Sequence, residues 1–122
     1  MIMEHHSLEG PAKRLCAFVG EDETYQDKPL YEALMAQART QGCAGASVMR
    51  GIAGYGASSR DVAKHALRMS TDRPLMVSVI DEGPRIAALA EVWSTMIPSG
   101  LVTIEDVCVV LYCARGECHP DQ

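Results

Sequence analysis

The sequence predicts an α+β domain whose elements run β-α-β-β-α-β. Three observations predict it. The 122 residues are 48% apolar and 22% charged, the balance of a globular chain with one ordinary core. Four short runs are rich in Val, Ile, Leu and Met and are bounded by Gly and Pro. Two further stretches repeat their apolar residues at the helical period.

Residues 1–12 are polar, contain Gly10-Pro11 and read as a flexible N-terminal arm. The folded domain is expected over 13–112. Lys13 to Val19 is the first main strand, and Gly20-Glu21-Asp22-Glu23 turns it with a cluster of negative charge. Pro29 suits the first position of a helix. Leu30, Ala33, Leu34 and Ala38 then share one face, and Gly42 stops the element. Ala44 to Arg50 is the second main strand. A long connection spans 51–73. Part of it has helical character, because Ser58 and Asp61 stand at capping-box spacing and Val62, Ala66 and Met69 share a face. Leu75 to Asp81 is the third strand. Gly83-Pro84 opens a second helix with the stripe Ile86, Leu89, Ala90, Trp93, Ile97, and Pro98-Ser99-Gly100 breaks it. Leu101 to Tyr112 is the fourth strand, and 113–122 form a polar, Cys-containing tail. The closure that suits this order is the ferredoxin-like split βαβ, a four-stranded sheet with two helices on one face. The fourth strand is apolar on both faces from Val107 to Leu111, which calls for a second copy to cover the open face.

The densest signal is Gly51-Ile52-Ala53-Gly54-Tyr55-Gly56-Ala57-Ser58-Ser59, directly behind a strand. Glycine lets backbone N–H groups approach a ligand closely. The spacing G-x-x-G-x-G is neither the dinucleotide nor the Walker fingerprint, and no lysine follows to reach a phosphate. A ligand or interaction loop and a plain strand exit both remain open on this evidence.

Net charge is −5 and only six residues are Trp, Phe or Tyr, so neither a nucleic-acid surface nor a base-stacking platform is expected. No apolar run reaches the roughly 18 residues of a membrane span. The first residues lack the cationic and apolar regions of a signal peptide, so a cytoplasmic location is expected. Arg50, Arg60, Lys64, His65, Arg68 and Arg73 gather positive charge in an otherwise acidic chain. They read either as solvated loop charge or as a surface that meets an anion or a partner, with Arg50, Arg60, Lys64 and Arg68 as its candidates. Cys16, Cys43 and Cys108 lie in apolar surroundings and read as small core residues. Cys113 and Cys118 enclose four residues including a glycine. Two idle thiols, a redox-sensitive disulfide, and a zinc site completed by His119 all remain open. No nucleophile–base pair is readable, Asp81-Glu82 is explained by helix capping, and nothing calls for an enzyme.

Pro29-Leu30-Tyr31-Glu32, the block from Gly42 to Ser59, Pro74-Leu75, Val79-Ile80-Asp81 and Ser99 to Thr103 together resemble a bacterial and archaeal branch of the PII-like signalling proteins, over roughly residues 13–111. The resemblance implies a ferredoxin-like protomer assembled as a homotrimer, with a signalling role. It implies that 51–73 is the T-loop, which reports to a target protein such as a membrane transporter. It further implies that an adenine nucleotide (ADP, AMP or ATP) binds in clefts between subunits. Gly54, Tyr55, Gly56, Ala57 and Ser58 would line such a cleft from the T-loop base, and Gly100, Leu101 and Val102 from the loop after the second helix. Bicarbonate is a second effector candidate. The basic, glycine-rich phosphate loop of ordinary PII proteins is missing after the second helix. The tail resembles that of PII-like proteins linked to inorganic carbon uptake, which carry a comparable cysteine pair. A metal-handling trimer of the CutA type and a small enzyme using the same cleft are the alternatives.

Overall fold

The computed structural model describes residues 8–55 and 73–114. Its elements are β1 (Gly10–Gly20), β2 (Thr24–Tyr25), β3 (Lys28–Pro29), α1 (Leu30–Thr40), β4 (Ser47–Arg50), β5 (Pro74–Asp81), α2 (Gly83–Met96) and β6 (Leu101–Val109). Strands β4-β5-β1-β6 form one antiparallel sheet in that order. This is the ferredoxin-like arrangement the sequence predicts. β2 and β3 form a separate two-residue hairpin.

The side chains of a strand alternate between faces, so the register assigns each face. Leu15, Ala17 and Val19 of β1 lie beside Val79, Val77 and Leu75 of β5 on one face. They are buried with Leu30, Leu34 and Ala38 of α1 and Ile86, Leu89, Trp93 and Met96 of α2. Trp93 is fully buried at the centre, and its indole N–H donates to the Leu34 carbonyl at 3.1 Å, tying one helix to the other. Of the α2 stripe the sequence predicts, Ala90 and Ile97 are only partly buried, and Met96 takes the inward position.

Gly42 ends α1 in the left-handed region at φ +84°, with Cys43 N–H bonded to the Ala38 carbonyl and Gly42 N–H to that of Arg39. These two bonds satisfy carbonyls that a helix end leaves open. Pro29 differs from expectation. It stands one residue outside α1, as part of β3, because the hairpin runs straight into the helix. The hairpin itself turns through Gln26 and Asp27, both at positive φ, without the glycine that would have advertised it.

β1 begins three residues before the expected first strand, since Gly10, Pro11 and Ala12 pair with Val109, Cys108 and Val107. β6 ends at Val109, opposite Gly10 and three residues short of Tyr112, whose N–H donates to the Glu9 carboxylate instead of extending the ladder. Cys108 is exposed, contrary to the core position expected of it. It lies near the far end of an edge strand whose packing against the core comes at its beginning, through Val102.

Asp81 is the buried charged residue among those described. Its side chain accepts from Ala44 N–H and Glu82 N–H, each at 2.8 Å, and from Arg85 Nε at 3.1 Å. Arg85 reaches on to the Gln41 carbonyl and the Glu82 carboxylate. The capping role expected for Asp81-Glu82 is therefore corrected. No side chain caps α2; Asp81 instead fastens the loop after α1 to the start of α2. Replacing Asp81 by Asn puts an amide donor against one of three donors. We expect Asp81→Asn to cost about 2–4 kcal/mol in urea denaturation with an unchanged slope. A cost under about 0.5 kcal/mol, the usual range of a surface change, would contradict this account.

Candidate functional site

β1 and β4 end, and β5 and β6 begin, at one rim of the sheet: Arg50 lies beside Leu75, Gly20 beside Pro74 and Phe18 beside Leu101. Arg50 meets Glu21 in a fork there, with Nε–Oε1 at 3.1 Å and Nη2–Oε2 at 2.6 Å. The Glu21 backbone N–H also donates to the Arg73 carbonyl at 2.7 Å, and Gly51 N–H donates to that of Pro74 at 2.7 Å. One residue therefore touches both ends of the 51–73 connection. Glu21, Tyr31, Val48, Arg50 and Leu75 line a cleft of about 150 Å³ that is open to solvent. Tyr55 and Ile52, beyond the stem, are almost fully exposed.

The predicted ligand residues divide into three sets. Gly54 and Tyr55 lie past the end of β4, at one edge of the sheet. Gly100 directly precedes β6, and Leu101 and Val102 begin it, at the other edge. Three strand spacings separate the edges, roughly 14 Å. One chain does not bring the two halves together. Gly100 also has a packing reason: a Cβ there would stand 2.7 Å from the Phe18 carbonyl oxygen. Gly56, Ala57, Ser58, Arg60, Lys64 and Arg68 lie outside the described residues. So do Cys118 and His119; Cys113 is half-buried, at the opposite end of β6 from Gly100.

The sheet face away from the helices carries Phe18, Met49, Ile80 and Leu101, all at least 37% exposed, with Met76 among them. The apolar character anticipated for the last strand is thus spread over all four strands. Beyond β6, Val110 and Leu111 are exposed. Cys16 is buried, Cys43 half-buried and Cys108 exposed, all three as free thiols. Burial, helped by the Asp81 charge, pushes the Cys43 thiol up. Among the described residues no group of three His, Cys, Asp or Glu is placed to hold a metal ion.

Sequence reasoning missed Glu21 and Tyr31 as neighbours of Arg50. The acidic turn at 21–23 was visible, but its partner lies 29 residues on and is supplied by the sheet.

The hydrogen bonds from Arg50 hold the Glu21 carboxyl below its ordinary range, against desolvation, and the charges of Arg50 and Arg73 assist to a lesser degree. A lowered folded pKa means the pair contributes fully above about pH 4.5 and is lost as pH falls through the lowered value. Carbon-detected NMR should find Glu21 titrating below the ordinary glutamate value. Arg50→Met should return it to the common range; an unchanged Glu21 titration would break the link.

The sequence from 12 to 109 matches the family model DUF190, described as an uncharacterised ACR. A UPF0166 protein of Aquifex aeolicus is 38% identical over 99 residues, covering 80% of this chain and 92% of that protein. A UPF0166 protein of Methanocaldococcus jannaschii is 29% identical over 97 residues, covering 78% and 88%. Among solved structures, a putative PII-like signalling protein of Thermus thermophilus superposes with TM-score 0.59 at 15% identity, over 83% of this chain and 91% of that one. CPII of Thiomonas intermedia, a nitrogen regulatory PII-like protein solved bound to ADP and bicarbonate, superposes with TM-score 0.54 at 16% identity, over 81% and 88%. At such identities these two establish a shared fold. With four fifths of its length matched by the family model and by a relative more than a third identical, the chain belongs to the DUF190 (UPF0166) family and has the fold of PII-like proteins.

Proposed function

We propose that this protein is a PII-like regulatory homotrimer. It binds a small anionic effector, an adenine nucleotide, between copies and reports through the 51–73 connection to a protein partner, of which a membrane transporter is the favoured class. The observation that carries this reading is the division of the predicted ligand residues between opposite sheet edges at one rim. Packing the β4 edge of one copy beside the β6 edge of the next brings the two halves into one cleft. The exposed apolar face supports self-association, since surfaces of that character in soluble chains are covered by partners. The nucleotide and bicarbonate in CPII support the effector class. A regulatory role is favoured over a catalytic one because the described rim holds an ion pair and glycines, with no paired nucleophile and base. No helix among the described residues is long and apolar enough to cross a membrane. A cytoplasmic location suits the proposed nucleotide.

Light scattering and calorimetry on one sample test the reading. The wild type should measure roughly 40 kDa, three 13.2 kDa chains, and bind ADP, AMP or ATP. Phe18→Asp puts a charge on the open face. It should yield a folded monomer and lose nucleotide binding together. A wild-type monomer at micromolar concentration, or nucleotide binding that survives in the monomer, contradicts it.

The proposal extends to a redox-responsive disulfide between Cys113 and Cys118. Support comes from the thiols that are free, Cys16, Cys43 and Cys108, with Cys113 not among them. So short a loop contributes about 2 kcal/mol, enough to fix a tail and little for the domain. Alkylation and mass spectrometry after mild oxidation should label exposed Cys108 and spare Cys113 and Cys118 until reductant is added. Labelling of both before reduction refutes the pairing.

A further inference from the structure

We infer that Arg50 is an anion-binding residue whose seat is filled, in the ligand-free protein, by the carboxylate of Glu21. The guanidinium presents one edge, Nε and Nη2, to both Glu21 oxygens at 3.1 and 2.6 Å. That two-point fork is how arginine receives a phosphate or carboxylate group, so Glu21 occupies the position a ligand's anionic group would take. The seat adjoins the cleft of about 150 Å³ over Tyr31, Val48 and Leu75, which is room for a small anion on an apolar floor.

Exchange needs little rearrangement. The Glu21 backbone is pinned to the Arg73 carbonyl, and the turn behind it is closed by Glu23 N–H on the Gly20 carbonyl. Only the side-chain torsions of Glu21 have to change. The pair is not sealed from water, since the Arg50 side chain is 55% exposed and that of Glu21 25%. An ion pair so placed is weak enough for a soluble anion to displace. A phosphate brings a second charge that the single carboxylate lacks, so a phosphorylated ligand competes better than a monocarboxylate. Glu21 thereby sets the affinity of the site. A ligand anion must replace it, and weakly charged anions fail to do so. The class of the ligand, a phosphate-bearing effector, rests on the functional reading above; the exchange at Arg50 does not.

The experiment compares wild type, Glu21→Gln, Arg50→Met and Arg50→Lys, with Glu32→Gln as a control that removes one exposed charge from α1 without touching Arg50. Inorganic phosphate is titrated while the Arg50 Nε–Hε resonance is followed by NMR, and ADP binding is measured by calorimetry. Glu21→Gln should bind phosphate about three- to tenfold more tightly than wild type, the scale of one exposed ion pair. Glu32→Gln should change affinity less than about twofold. Arg50→Met should lose the binding and Arg50→Lys should keep a weakened part of it. A purely structural Glu21–Arg50 pair predicts that Glu21→Gln and Arg50→Met weaken binding alike. That outcome overturns the inference, as does phosphate affinity unchanged in Glu21→Gln. If ADP binds wild type and every variant equally, the nucleotide reading stands and this one falls. If ADP binds none of them, the nucleotide reading falls and the phosphate titration still decides the role of Arg50.

Discussion

The structure depends on β1 being hydrogen-bonded along both edges, to β5 on one side and β6 on the other. A strand in that position must suit two faces at once. Toward the helices it offers Leu15, Ala17 and Val19, which are buried; toward the open side it offers Cys16 and Phe18. Its antiparallel register with both neighbours brings Gly20, Pro74, Arg50 and Leu101 to a common rim. The same pairing sends the two glycine-bearing segments to opposite edges. The proposed site is a consequence of sheet order more than of any local motif.

At the other rim Asp81 does a comparable job with polar atoms. A buried carboxyl group is tolerable when its oxygens are satisfied, and here two backbone N–H groups and an arginine satisfy them. The effect is to set the loop after α1 against the start of α2, so both helices lie at fixed positions over the sheet. Trp93, donating to the Leu34 carbonyl, fixes their mutual approach from inside. At the rim that carries Arg50 the ion pair with Glu21 stands open to water, and a pair so placed can exchange.

Much of the fold was legible because the periodicities were clean. Ile86, Leu89 and Trp93 recur at helical spacing with nothing to contradict them, and the run from Leu75 to Asp81 has the apolar, β-branched content of a strand. The β2–β3 hairpin was not legible, because Gln26 and Asp27 adopt positive φ without the glycine that signals such turns. The ends of β1 and β6 were misjudged because each is decided by the length of the other. The site was legible by resemblance in its glycines, whereas Glu21 was not, since nothing local distinguishes it from its acidic neighbours. Cys108 looked like a core residue because apolar sequence neighbours do not tell whether a strand lies at the sheet's edge.

The ion pair between Lys13 and Asp106 joins residues 93 positions apart, and every contact of β1 with β6 is of that kind. A ribosome delivers β1 first and β6 last. Throughout synthesis the central strand of the sheet waits with one side unpaired, and its apolar residues face a helix layer that cannot yet close. Contacts this distant along the chain are slow to form, because the loop entropy must be surrendered before any of them is gained. The nascent chain therefore passes through its most adhesive state when β1, β5 and both helices have emerged and β6 is still inside the exit tunnel.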